Sequence, residues 1–251
     1  MNPALSDISE FIDALLDTKN VPDSANALNG LQISNGGEVT RIGAAVDAGE
    51  ATVIAAAAAG IDLLLVHHGL FWAGLQPLTG ALYRKVTLAV RANMAVYSAH
   101  LPLDVHPTLG NNALLAEAIG MVATEPFFFE KGRCLGLKGA VLVSREELVT
   151  RVESAVAGPV KVFGQRKAIG VVGVVTGGAG AEIYKAAAEG VDTFITGEGP
   201  HWAAIAAEEL GVNLILAGHY ATETFGVKAL AARVAGEFGV PWQFIDHPTG
   251  L

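Results

Sequence analysis

The chain reads as an α/β protein built from two duplicated, interlocked lobes, and three observations carry that reading. First, GAAVDAGEATVIAAAAAGIDLLLVHHG, residues 43–69, recurs as GVVTGGAGAEIYKAAAEGVDTFITGEG, residues 173–199, at a constant offset of 130 from Gly43 to Gly173. Gly60, Asp62 and Trp72 fall on Gly190, Asp192 and Trp202. Self-similarity over such a length marks a repeated supersecondary unit. Second, the apolar runs are short and continuous, as in parallel strands buried on both faces. Third, 51% of the 251 residues are hydrophobic and only 16% are charged, so most elements must be covered on both sides.

The elements follow in order. Ser6, Ser9 and Glu10 open an amphipathic helix to about Asp17, with Ile8, Phe11, Ile12, Leu15 and Leu16 on one face. Pro22 and the polar segment after it end that helix. The tract ALNGLQIS follows, then a strand at 42–46, an alanine-rich helix at 48–59 stopped by Gly60, and a buried strand at 62–66. This is a strand-helix-strand unit with parallel strands. A helix at 78–93 leads to a strand at 94–98, and a leucine- and alanine-rich helix occupies 112–119. Between the copies, 127–143 reads as one or two strands, Ser144-Arg-Glu-Glu147 as a capping box opening a helix to about Ala157, and 160–163 as a strand. The second copy repeats the order: strand 169–175, helix 181–189, strand 192–196, helix 200–210, strand 212–217, helix 223–236. The expected bounds are a first lobe at 1–123, a connecting strand-helix-strand unit at 124–166, and a second lobe at 167–251.

Composition excludes several function classes. The formal net charge is −9 and no run of lysine and arginine offers a phosphate-backbone footprint, so nucleic acid is not expected as a partner. The single cysteine, Cys134, rules out an intrachain disulfide framework and fits a reducing compartment. The stretch MNPALSDISEFIDALLD is acidic and amphipathic, unlike a secretory signal, and no uncharged apolar run approaches a membrane span. The expectation is a cytoplasmic chain with no membrane partner.

The chemistry lies at the strand ends. His67-His68 close the first repeated stretch. A second matched pair, MAVYSAHLPLD and NLILAGHYATE, ends in His100-xxx-Asp104 and His219-xxx-Glu223 at an offset of 119 between the histidines. Ligands in open α/β sheets collect beyond the carboxyl ends of strands. His67, His68, His100, Asp104, His219 and Glu223 all sit at or just after such ends, so two facing copies would gather them in one cleft. Imidazole and carboxylate suit zinc, iron, manganese or nickel, whereas calcium and magnesium want mainly oxygen. Five or six such ligands match two divalent transition-metal ions, about 3.5–4 Å apart in two-metal hydrolytic sites. The full expectation is therefore two interlocked, duplicated α/β lobes with mixed sheets and a metal centre between them.

Plainer readings stand beside these. Adjacent histidines also arise from packing, and His-xxx-Asp spacing occurs by chance on helices; matched recurrence at strand ends favours metal. Glu198 replaces His68 at the matched position and reads as a ligand, a partner orienting a histidine, a general base, or a helix-start carboxylate. His106, His201 and His247 are weaker candidates. TGGAG, 176–180, lacks a P-loop lysine and reads as a tight turn. Asp47 and Thr176 are near-equivalent at the first strand ends and would line the cleft.

NGLQIS (29–34), DLLLVHHGLFW (62–72), HLPLDVHPTLGNN (100–112), TGGAG, DTFITGE (192–198) and GHYATETFGV (218–227) together resemble the Nif-three-like family, whose bacterial members are commonly labelled GTP cyclohydrolase 1 type 2. The motifs occur in the family's order over nearly the whole chain. The resemblance implies a two-lobed α/β protein with a dinuclear metal centre, and a homohexamer built as a trimer of dimers. It places His67, His68, Asp104, His219 and Glu223 at the metal-ligand positions, with His100 beside the centre. About 40 residues separate the copies, so the central domain inserted in longer members is absent. It further implies a metal-dependent hydrolase acting on a small molecule such as a purine nucleotide, with Glu198 and His100 moving protons. A metal-handling or metal-delivery protein without turnover, and a scaffold whose metals stabilise assembly, are the other readings.

Overall fold

The computed structural model describes residues 2–251. In chain order the elements are α1 (Leu5–Leu16), β1 (Gly30–Ile33), β2 (Ile42–Asp47), α2 (Glu50–Ala58), β3 (Leu63–His68), α3 (Gly80–Arg91), β4 (Ala95–Ser98) and α4 (Leu101–Asp104). There follow α5 (Asn111–Ala118), β5 (Val122–Glu130), β6 (Arg133–Ala140), α6 (Arg145–Val156), β7 (Lys161–Phe163), β8 (Val171–Val174) and α7 (Ile183–Ala188). The last are β9 (Thr193–Thr196), α8 (His201–Leu210), β10 (Asn213–Leu216), α9 (His219–Thr222), α10 (Thr224–Phe238) and β11 (Trp242–Phe244). The fold is α/β with two mixed sheets. Among the described residues, no helix is long and apolar enough to cross a membrane.

Two compact units divide the chain. One takes the chain up to Leu103 together with Gly226–His247; the other takes Asp104–Phe225 and Pro248–Leu251. The stretch 124–166, read from sequence as a connecting unit, supplies most of β5 with β6 and β7 to the second sheet, and packs α6 against it.

The first unit holds a five-stranded sheet in the order β1-β4-β3-β2-β11. β2, β3, β4 and β11 are parallel, and β1 closes one edge antiparallel to β4. Leu63 to Val66 of β3 are all buried, because a central parallel strand meets packed side chains on both faces. Val53 and Ala56 of α2, Ala89 of α3, Leu64, Val66, Val96 and Ile245 form its main buried cluster. The small residues of α2 let that helix lie close to the sheet. α1 buries Leu5, Ile8, Ile12 and Leu16, the stripe its sequence presents.

The second unit holds a six-stranded sheet in the order β5-β6-β8-β9-β10-β7. β8, β9 and β10 are parallel in the order of β2, β3 and β4, and β7 closes the edge beside β10 antiparallel, as β1 does beside β4. Ile33 ends β1 and Phe163 ends β7, 130 residues apart, so the duplication reaches back to the edge strand. Two clusters flank this sheet, one around Leu115, Leu148, Val152, Val172 and Ile215, the other around Phe127, Phe194, Ile183 and Leu214.

The repeated aspartates are structural. Asp62 accepts from Thr40 N at 2.8 Å and Arg41 N at 3.0 Å. Asp192 accepts from Gly170 N at 3.2 Å and Val171 N at 2.9 Å. Each staples the start of the neighbouring parallel strand, satisfying amides that the ladder leaves open.

Candidate metal centre

In the first unit, β3 delivers fully buried His67 and half-buried His68 from its last two positions, and His100 follows the end of β4. One ring nitrogen from each of His67, His68 and His100 lies within 4.8 Å of the other two. The ring centroids are 4.8 Å apart for His67 and His68, 5.0 Å for His67 and His100, and 5.7 Å for His68 and His100.

Each imidazole is anchored through Nδ1. His67 Nδ1 donates to Ala99 O at 2.8 Å, His68 Nδ1 to Asp47 Oδ1 at 2.9 Å, and His100 Nδ1 to Asp23 Oδ2 at 2.9 Å. Carbonyl and carboxylate oxygens only accept, so the proton sits on Nδ1 and the lone pair on Nε2. Ligand histidines are oriented in this way, the outer partner fixing both tautomer and ring plane. Asp23 is itself held by Asn29 Nδ2 at 2.9 Å and Leu101 N at 3.0 Å. Burial opposes its charge, but the hydrogen bond and charge of His100, with Asn29, outweigh burial and lower its pKa to about 2. Trp72 walls the group, its ring edge-on to His100 at 4.7 Å and to His68 at 5.7 Å.

In the second unit, β10 leads through Gly218 into α9, which starts with His219. His219 Nδ1 donates to Glu198 Oε1 at 2.9 Å and His219 Nε2 to Glu223 Oε2 at 3.2 Å. Burial opposes charge on this ring; Glu223 first and then Glu198 overcome it and raise its pKa to about 9. A cation bound at Nε2 would take the place of that proton, leaving Glu198 to orient the ring as Asp47 orients His68.

Buried Asp104 accepts from Asn111 Nδ2 at 2.7 Å and Thr176 Oγ1 at 3.5 Å. Asn112 Oδ1 accepts from Thr176 N at 2.8 Å, so the Asn111-Asn112 pair ties Asp104 to the start of the TGGAG tract. That tract is a turn pressed onto the site. Gly177 has φ +74°, and a Cβ there would collide with Glu223 Oε1 and lie 3.4 Å from His219 Nε2. Its amide donates to Thr222 Oγ1 at 3.1 Å, so that amide is spent within the protein.

The candidates thus fall into His67, His68 and His100 in one unit, and Asp104, Glu198, His219 and Glu223 in the other. His106 Nδ1 accepts the Thr108 and Leu109 amides at 3.3 and 3.0 Å and shapes a turn. His201 starts α8 and, like His247, is exposed. Sequence reasoning missed Asp23 as the anchor of His100; the only local signal was its place in a polar segment after Pro22. Asn29 was visible within NGLQIS, although its grip on His100 N at 2.7 Å was not.

Comparisons with known proteins give the family and the fold. A family model described as Duf34/NIF3 (NGG1p interacting factor 3) matches residues 3–249. A protein of Deinococcus radiodurans named GTP cyclohydrolase 1 type 2 homolog is 44% identical over 228 residues, 90% of this chain and 87% of that one. One of the same name from Halobacterium salinarum is 43% identical over 253 residues, covering 98% and 100%. The crystal structure of TTHA1606 from Thermus thermophilus aligns with a TM-score of 0.85 at 36% identity, covering 100% of both chains.

Proposed function

Since the chain belongs to the Duf34/NIF3 family, we propose that it is a dinuclear-metal-dependent hydrolase of a small molecule, with purine nucleotides the class its relatives' label suggests. His67, His68, Asp104, His219 and Glu223 would hold two divalent ions of zinc, iron, manganese or nickel. The observation that carries this reading is the shared anchoring of three clustered histidines through Nδ1, which turns their lone-pair nitrogens into a preformed donor set. Imidazole with carboxylate is the donor chemistry such ions prefer.

When bound, two such ions supply Lewis-acid polarisation and an activated water. The chain's own residues do the rest. His100, its Nδ1 proton pinned by Asp23, offers Nε2 to accept a proton. Glu198 fixes the His219 ring and adds a second carboxylate able to carry one. Trp72 shields the histidines and gives a flat apolar wall against which a ring can pack.

Elemental analysis of reconstituted protein tests the centre: about two ions per chain are expected, with strong loss in Asp104→Ala and none in His247→Ala. One ion or fewer per chain in the wild type overturns it. A screen of the metal-quantified protein against nucleotides, phosphoesters and amides tests turnover, which chelation and Glu223→Gln are expected to abolish. Metal uptake with no turnover across the screen identifies a metal-handling protein instead.

A further inference from the structure

A cavity of about 480 Å³ lies within the second unit, lined among others by Asp104, His106, Asn112, Arg133, Cys134 and Leu137. That volume falls in the range of small-molecule sites, about 300–1,000 Å³. Its cation comes from the β5-β6 hairpin. Glu130 and Arg133 face each other across a two-residue turn, Lys131 and Gly132, whose φ values of 48° and 85° make the tight reversal that matches strand twist. Arg133 thereby takes the first position of β6.

Neither carboxylate of the hairpin pairs with Arg133. The two hairpin carboxylates are engaged elsewhere: Glu130 Oε2 lies 3.6 Å from Lys185 Nζ and Glu125 Oε1 lies 3.5 Å from Lys138 Nζ. Arg133 Nε is buried with no hydrogen-bond partner. Buried donors are almost always satisfied. Asn112 adds no further donor, because its Nδ2 already serves Asp104 O at 3.2 Å and Leu135 O at 2.8 Å.

We propose that this cavity is an oxyanion subsite in which Arg133 grips a phosphoryl or carboxyl group of the substrate. A guanidinium fork matches either group with two parallel hydrogen bonds. Asp104 in the lining puts the subsite beside a proposed metal ligand, so the inference rests on the hydrolase reading for its role, while anion binding itself requires no metal.

The test titrates inorganic phosphate, and separately malonate, into metal-quantified wild type, chelator-stripped wild type, Arg133→Gln and Arg133→Lys. The expected result is affinity weakened about tenfold or more in Arg133→Gln for at least one anion, partial recovery in Arg133→Lys, and binding that survives stripping. Preference for phosphate assigns a phosphoryl group and preference for malonate a carboxyl group. Neither anion binding at millimolar concentration, equal affinity in wild type and Arg133→Gln, or binding lost on stripping overturns the subsite. Should the variants not fold, the Arg133 Nε–H resonance of labelled wild type decides: it moves on anion addition, and an unmoved signal overturns the proposal. Anion binding through Arg133 in protein that holds no metal and turns nothing over upholds the subsite while the hydrolase reading fails.

Discussion

Asp23 decides which nitrogen of His100 carries the proton, and that makes it a positioning residue whose worth can be measured. Its pKa falls from 3.8 to about 2, so it binds fewer protons folded than unfolded in that window. The stability this contributes is fully present above pH 3.8 and lost as pH falls through about 2. The magnitude is about 1–2 kcal/mol after allowance for solvent screening. Asp23→Asn is expected to lose that amount at pH 7 in urea unfolding and to show a flatter stability profile between pH 4 and 2 than the wild type. A variant as stable as the wild type at pH 7 contradicts the assignment. The histidines were legible because each ends an apolar run in a repeated motif. Asp23 was not, because its partner lies 77 residues away and no local pattern couples them.

At the scale of elements, the repeat gave both parallel triplets their order, because continuous apolar runs and glycine stops survive in the sequence. Of the two antiparallel edge strands beside these triplets, β7 lies within the strand expected at 160–163, whereas β1 was not legible. GLQI in β1 is short, and its strand character comes from pairing with Val96 to Ser98. β11 was likewise unread, since three residues after Pro241 carry no period of their own. The expected helix at 223–236 is α10, and the short α9 precedes it, the break between them at Glu223 bringing the carboxylate to His219. The capping box at α6 is visible in half: Ser144 Oγ accepts from Glu147 N at 3.2 Å. Ser144→Ala is therefore expected to cost about 1 kcal/mol, with faster hydrogen exchange in the first-turn amides of α6. Unchanged exchange there removes the cap from the account.

For the molecule as a whole, the single chain leaves large apolar side chains exposed. Leu75 is fully exposed and Leu28 and Leu78 are more than half exposed, around a cavity of about 360 Å³ that Phe71 also lines. Exposed apolar patches of this kind mark association surfaces. We propose that this face is covered in a homohexamer, a trimer of dimers. Light scattering at micromolar concentration is expected to give about six chains per particle, and Leu75→Glu with Leu78→Glu a smaller one. A monomeric wild type discards the ring.

The return of the chain to the first sheet has a consequence for how the protein is made. β11 pairs with β2 through Trp242 and Ile42, residues 200 apart, and α10 brings Phe238 within 5.5 Å of Phe11 on α1. During vectorial synthesis the first sheet emerges early but waits with β2 as an open edge, and α1 without its aromatic partner, until residues 238–244 have emerged. The body of the second unit, 104–225, is complete before then. On ribosomes stalled after residue 225, protease is expected to cut 1–103 faster than 104–225, reversing the usual order in which the amino-terminal part settles first.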